Sequence, residues 1–208
     1  MKIALIGDSH TEAYFPPLRQ KLEEAGHQVV GQVSNRGWSV FSYNNKPQQI
    51  QAAIQGNPDV VVVSLGGNNA KLNAKYGEAV ATFLQNIGYP QRRVVWVGAA
   101  KALRQDVETR HQWTADWLSQ NLPQDIVFID TRPFTEVGHA PDGVHFTSSH
   151  YRDVWAEKIA NQTLASIKLP LVLYKAKKNL PFILFVISLG GLSYALWRRY
   201  GQTDGKRP

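Results

Sequence analysis

The chain reads as an α/β protein, a three-layer α/β/α sandwich built on a parallel five-stranded sheet. Three observations predict this. Five short apolar runs alternate with helix-like segments along residues 1–167. The first three runs stop at turn residues: Gly7, then Ser34-Asn35-Arg36-Gly37, then Gly66-Gly67-Asn68. Strands joined through helices pair in parallel and need cover on both faces, so their interiors are apolar throughout.

The first strand is residues 2–6 (KIALI). A helix is expected over 18–25, with Pro16 and Pro17 marking its start and Gly26 its end. Residues 27–33 form the second strand, and 47–55 a weak helix broken by Asn57-Pro58. Residues 59–65 carry four consecutive valines, the most strand-like run present. Then come a helix over 75–87, a strand over 93–97, an amphipathic helix over 106–121 and a strand over 126–130. A Pro- and Gly-rich loop spans 131–146, and a last amphipathic helix covers 148–167, capped by Thr147 or Ser148. Trp113 and Trp117, four apart on one helix, read as core, and Arg92-Arg93 as a solvated strand edge. Tyr43-Asn44-Asn45 falls in the loop after the second strand and is a candidate substrate contact.

Ligands of such sheets bind beyond the carboxyl ends of the strands. Four fragments fall at that rim: Gly7-Asp8-Ser9-His10, Gly37 with Trp38, Gly66-Gly67-Asn68-Asn69, and Asp142-Gly143-Val144-His145. They supply what acyl transfer from an ester requires: a hydroxyl nucleophile, an imidazole base, a carboxylate to orient it and donors for an oxyanion. Each fragment also has a plainer reading. Ser9 would serve as a helix N-cap, Asp142-Gly143 as a surface turn, and Asn68 as part of an Asn-rich turn. Of six histidines, only His145 has an aspartate three residues before it in a loop after the last strand.

This set, in this order, resembles the four blocks of the SGNH (GDSL-type) hydrolase family over about residues 1–165. The resemblance implies a flavodoxin-like α/β/α fold with Ser9 as nucleophile and Asp142 and His145 completing the triad. It also implies an oxyanion hole made by the Ser9 and Gly37 N–H groups and the Asn68 side chain, with no metal or organic cofactor. Asn69 stands where many members have Asp. Trp38 and Asn69 are further candidate substrate contacts. The expected activity is hydrolysis of an ester or thioester of a lipid, a carbohydrate or a small molecule. The alternative is a catalytically silent protein that keeps the fold for structure or binding, in a membrane or virion setting.

Composition narrows the rest. There is no cysteine, which excludes disulfides, thiol nucleophiles and cysteine metal sites. The net charge of +7 lies wholly in residues 168–208, which hold eight cations against Asp204; residues 1–167 are balanced. A nucleic-acid partner is therefore not expected, because a neutral folded domain offers no track for a phosphate backbone. The cations instead bracket residues 180–197, eighteen positions without a charge, with Trp197 and Tyr200 suited to a membrane interface.

The expected organisation is a hydrolase-like domain (1–167), a basic juxtamembrane linker (168–179), a transmembrane helix (180–197) and a basic tail (198–208). No signal peptide is read before the first strand, so the expectation is a C-terminal single-pass anchor with a cytoplasmic domain. The alternative setting is a virion membrane. Gly191 and Ala195 would permit helix pairing and a homo-oligomer through this segment.

Overall fold

The structure is a computed structural model and describes residues 1–68 and 75–168. Nearly all of them fall in one compact unit, Met1–Ser166. Asn69 and the expected linker, span and tail from residue 169 onward lie outside the described residues. Among the described residues no helix is long and apolar enough to cross a membrane.

The strands are β1 (Lys2–Gly7), β2 (Gln28–Ser34), β3 (Val60–Ser64), β4 (Arg93–Val97) and β5 (Val127–Ile129). They pair in the order β2-β1-β3-β4-β5, and every pairing is parallel. Gly7 sits opposite both Ser34 and Ser64, so the carboxyl ends of the first three strands finish level. The chain order reverses between β1 and β3, where sheets of this kind open a crevice.

Valine dominates the centre because both faces of the sheet are covered. Every residue of β3 and β4 is buried. Ala4, Ile6, Val61, Val63, Val94 and Trp96 face one layer. There they meet α2 (Val40–Asn44), α3 (Pro47–Ile54), α4 (Tyr76–Asn86) and α5 (Gln105–Asn121). The Trp96 indole N–H, which has no access to water, donates to the Leu65 carbonyl at 2.9 Å. Alternate residues such as Ile3 and Leu5 turn to the opposite face by the strand's period of two. Trp113 and Trp117 are partly buried and pack edge-on to Tyr76, in line with the core reading.

Four local expectations are corrected. The first helix, α1, runs Ser9–Glu24 and carries Pro16 and Pro17 in its interior. Prolines there leave the Glu12 and Ala13 carbonyls without intrahelical donors. Both residues are exposed, so water can serve those carbonyls, while Tyr14, Phe15, Leu18 and Leu22 are fully buried along one stripe and hold the helix down.

Tyr43 lies in the unforeseen helix α2 and is fully buried. Its hydroxyl donates to the Gly7 carbonyl at 2.7 Å, so it braces the end of β1 and is closed to substrate. Arg93 is not at a solvated edge either. Its side chain is completely buried, and Nη1 donates to the Ser166 carbonyl in the last turn of the final helix at 2.9 Å.

The last helical stretch is also interrupted. A short turn α6 (Ser148–His150), capped by the Thr147 hydroxyl, passes through a π turn at Tyr151–Trp155 into α7 (Ala156–Ile167). The wider turn leaves Tyr151 and Trp155 both buried against α1.

Candidate active site

The site begins where β1 runs into α1. Asp8 is the N-cap, taking the His10 N–H on its side chain at 3.1 Å. The Thr11 hydroxyl and N–H both go to the Asp8 carbonyl. Capping therefore falls to Asp8, which leaves the Ser9 hydroxyl unused by the helix start. The Ser9 N–H belongs to the first turn, whose donors have no partner inside the helix.

The Asp142–His145 turn is held as a small hairpin. His139 and Phe146 form an antiparallel bridge, and the Ala140 N–H donates to the His145 carbonyl at 2.8 Å. Gly143 adopts φ +67, which a side chain would resist, and its carbonyl accepts from the Leu103 N–H at 2.7 Å. Asp142 Oδ1 accepts from the Val144 and His145 N–H groups at 2.9 and 2.8 Å. Those bonds turn Oδ2 to His145 Nδ1 at 2.7 Å. His145 Nε2 then lies 3.0 Å from Ser9 Oγ, across 136 positions of sequence.

The other histidines are engaged elsewhere. His10 meets the Tyr151 hydroxyl, His27 the N-terminus, and His111, His139 and His150 the carbonyls of Ala100, Lys101 and Phe134. With a carboxylate accepting at Nδ1, His145 carries its proton there and offers the bare Nε2 to the serine, as a general base must.

The Asn68 side chain points inward at the same rim. Its Nδ2 donates to Asp8 Oδ2 at 3.2 Å and to the Trp38 carbonyl at 3.3 Å. Trp38 thus meets the site through its carbonyl, while its ring packs edge-on to Tyr43 at 4.9 Å. Gly37 is exposed, with φ +72, in the turn after β2, and it does not border the cavity that Ser9, Asn68 and His145 share.

The family model described as a protein of unknown function (DUF459) matches residues 2–140, about two thirds of the chain. The chain belongs to the DUF459 family. The matched span holds Ser9, Gly37 and Asn68 and stops two residues short of Asp142, so the turn carrying His145 rests on geometry alone.

No curated protein matches this DUF459 chain. Solved structures do. A carbohydrate esterase family 3 protein from Talaromyces cellulolyticus is 20% identical with TM-score 0.58, covering 84% of this chain and 98% of its own. A family 3 carbohydrate esterase from Clostridium thermocellum is 20% identical with TM-score 0.56, covering 85% and 98%. An acetyl xylan esterase from Geobacillus stearothermophilus is 15% identical with TM-score 0.60, covering 76% and 94%. The DUF459 chain therefore has the fold of the SGNH (GDSL-type) hydrolases, as its sequence blocks led us to expect.

Electrostatics around Ser9 in the DUF459 domain are set by burial. Asp8 is only 3% exposed, and burial pushes its carboxyl up to about 7, against the pull of the His10 N–H, His145 and Asn68. Burial likewise drives His10 down to about 3, helped by the nearby imidazoles of His145 and His111, so His10 stays neutral. Its ring stacks on Trp155 at 5.5 Å and lies 4.9 Å from the His145 ring, forming a wall behind His145. Asp142 is held well below the usual carboxylate range by the Val144 N–H and by His145, so it is charged at neutral pH.

A cavity of about 260 Å³ opens on Ser9 and His145. Its far wall comes from the start of α5: Arg104, Val107, Arg110 and His111. Nothing in the local pattern marks these residues, because cations on an amphipathic helix resemble any solvated face. The Leu103–Gly143 bond is what draws the start of α5 against the histidine turn. Among the described residues no cluster of His, Asp or Glu could hold a metal ion.

Proposed function

We propose that the chain is a serine esterase that cleaves short acyl esters through Ser9, His145 and Asp142. The observation that carries this reading is the hydrogen-bonded line Asp142–His145–Ser9, at 2.7 and 3.0 Å. In the proposed reaction His145 Nε2 takes the Ser9 proton as Oγ bonds to the ester carbonyl carbon. The oxyanion that forms is met by the Ser9 N–H and by the Asn68 amide, which turns from Asp8 and the Trp38 carbonyl to receive it. His145 then gives its proton to the departing alcohol, leaving an acyl group on Ser9. Water, deprotonated by the same imidazole, attacks that acyl carbonyl and releases the acid and the free serine.

The small cavity favours a short acyl group, and the carbohydrate and acetyl xylan esterases of the same fold make an acetylated carbohydrate a reasonable substrate class. We further propose that residues 180–197 tether the domain to a bilayer, on the strength of eighteen uncharged positions between paired cations.

Incubation with a fluorophosphonate probe and with p-nitrophenyl acetate tests the chemistry. Labelling and hydrolysis are expected in the wild type and are lost in Ser9→Ala. Undiminished hydrolysis by a folded Ser9→Ala protein would overturn the reading.

A further inference from the structure

Two guanidinium groups line the cavity that opens on Ser9, and their situations differ. Arg104 is engaged by Asp106, at 2.8 and 3.3 Å. Arg110 has no ion pair among the described residues, and its Nε is buried without a hydrogen-bond partner. Asp106, one turn before Arg110, feels its charge but gives its bonds to Arg104. The nearby Glu108 accepts from the Ala102 N–H and from Gln112, so it too is spent.

The remaining carboxylate at the cavity is Asp142, whose oxygens are taken by the Val144 and His145 N–H groups and the His145 ring. His10 and His111 are kept neutral by burial and cancel nothing. Arg110 is thus the guanidinium lining this pocket that has no ion pair among the described residues, and its Nε–H is buried without a partner. A guanidinium in that state is complementary to a planar or tetrahedral oxyanion, which it can grip with two parallel N–H groups.

We propose that Arg110 selects ester substrates bearing an anionic oxygen group, a carboxylate or a phosphate, close to the scissile acyl bond. This deepens the esterase reading and rests on it for turnover, although anion binding at Arg110 does not. The anion would sit on the α5 wall while the ester carbonyl reaches Ser9. Val107 and Val144 add apolar surface to the same lining, which lowers the local dielectric around the contact.

The test compares 4-acetoxybenzoate with its neutral near-isostere 4-acetoxybenzamide, and 4-acetoxyphenyl phosphate serves as the phosphate arm. Wild-type kcat/KM is expected to favour the anionic esters by roughly 10- to 100-fold, the range of a charge-assisted hydrogen bond. Arg110→Gln should bring benzoate and benzamide esters within about twofold of each other, Arg110→Lys should keep part of the preference, and added salt should shrink it.

Equal preference in wild type and Arg110→Gln, or no preference in wild type, overturns the proposal. Calorimetric binding of 4-hydroxybenzoate against 4-hydroxybenzamide to the Ser9→Ala protein gives a second arm independent of turnover. Binding of the anion that is lost with Arg110→Gln supports the selectivity even if no ester is cleaved. Failure of that binding in a protein that cleaves neutral esters removes the selectivity and leaves the esterase.

Discussion

The Asn68 amide donates to the carboxylate of Asp8, the residue immediately before Ser9, at 3.2 Å. A buried carboxyl near half-ionisation at neutral pH is thereby joined to the side chain expected to receive the oxyanion. Asp8 titrates near 3.8 when unfolded and about 7 when folded. A raised folded value means that the stability this group confers is complete below the unfolded value and is lost as pH rises through the folded one. Replacing it with a neutral isostere removes that loss. The melting temperature of Asp8→Asn relative to wild type should therefore climb as pH goes from 4 to 8, read by thermal denaturation. Parallel curves would show that Asp8 does not titrate in this window.

Asp142→Asn keeps an oxygen for the Val144 and His145 N–H groups but turns an amide toward His145 Nδ1. The imidazole would then carry its proton on Nε2 and face Ser9 as a donor. Turnover of p-nitrophenyl acetate should fall by about 10³- to 10⁴-fold with little change in melting temperature. Because the Val144 N–H and His145 hold Asp142 well below the usual carboxylate range, the wild-type rate profile should show no inflection from this carboxylate near neutral pH.

Trp155 supports the histidine wall from the π turn. It is 1% exposed and stacks on His10 with an interplanar angle of 8°, yet its indole N–H is buried without a partner. Trp155→Ala should cost about 3–5 kcal/mol in chemical denaturation, as large cavities do. Trp155→Phe keeps an aromatic ring against His10 and removes the orphaned donor, so it should cost well under half as much. Similar losses for both would mean that the indole's full volume, and not its ring face, is what matters.

The tether predicts a partition. Residues 180–197 as a helix would span about 27 Å, close to the ~30 Å of a hydrocarbon core. The full chain should enter the detergent-rich phase on cloud-point separation, and a chain lacking residues 180–208 should not. Recovery of the full chain from the aqueous phase would refute the anchor.

Much of the fold was legible because parallel strands buried on both faces are written as unbroken apolar runs. The four valines of β3 leave little room for another reading. The start of α1 was hidden because prolines that end an isolated helix are overruled by the buried stripe of Tyr14, Phe15, Leu18 and Leu22. Helix α2 was hidden for the opposite reason: it is five residues long and owes its place to Tyr43 reaching the Gly7 carbonyl, a contact with no local signature. Ser9 could be picked out because it sits where a strand run ends, and Asp142 and His145 because an aspartate precedes a histidine by three residues in the loop after the last strand. Asp8, Arg104 and Arg110 could not, since their interest lies in what surrounds them. A carboxylate in a turn and a cation on a helix are ordinary until burial removes water from Asp8 and from the Arg110 Nε.

The contact between His145 and Ser9 joins a residue at the head of the domain to one contributed almost at its close. No fragment that ends before the last strand and its hairpin contains both halves. With the proposed triad, a ribosome-bound chain would stay chemically silent until nearly all of the sheet has been assembled. Ester cleavage would thus double as a sensor of complete folding, and partly unfolded or proteolytically nicked populations would register as missing turnover before any change in helix content became visible.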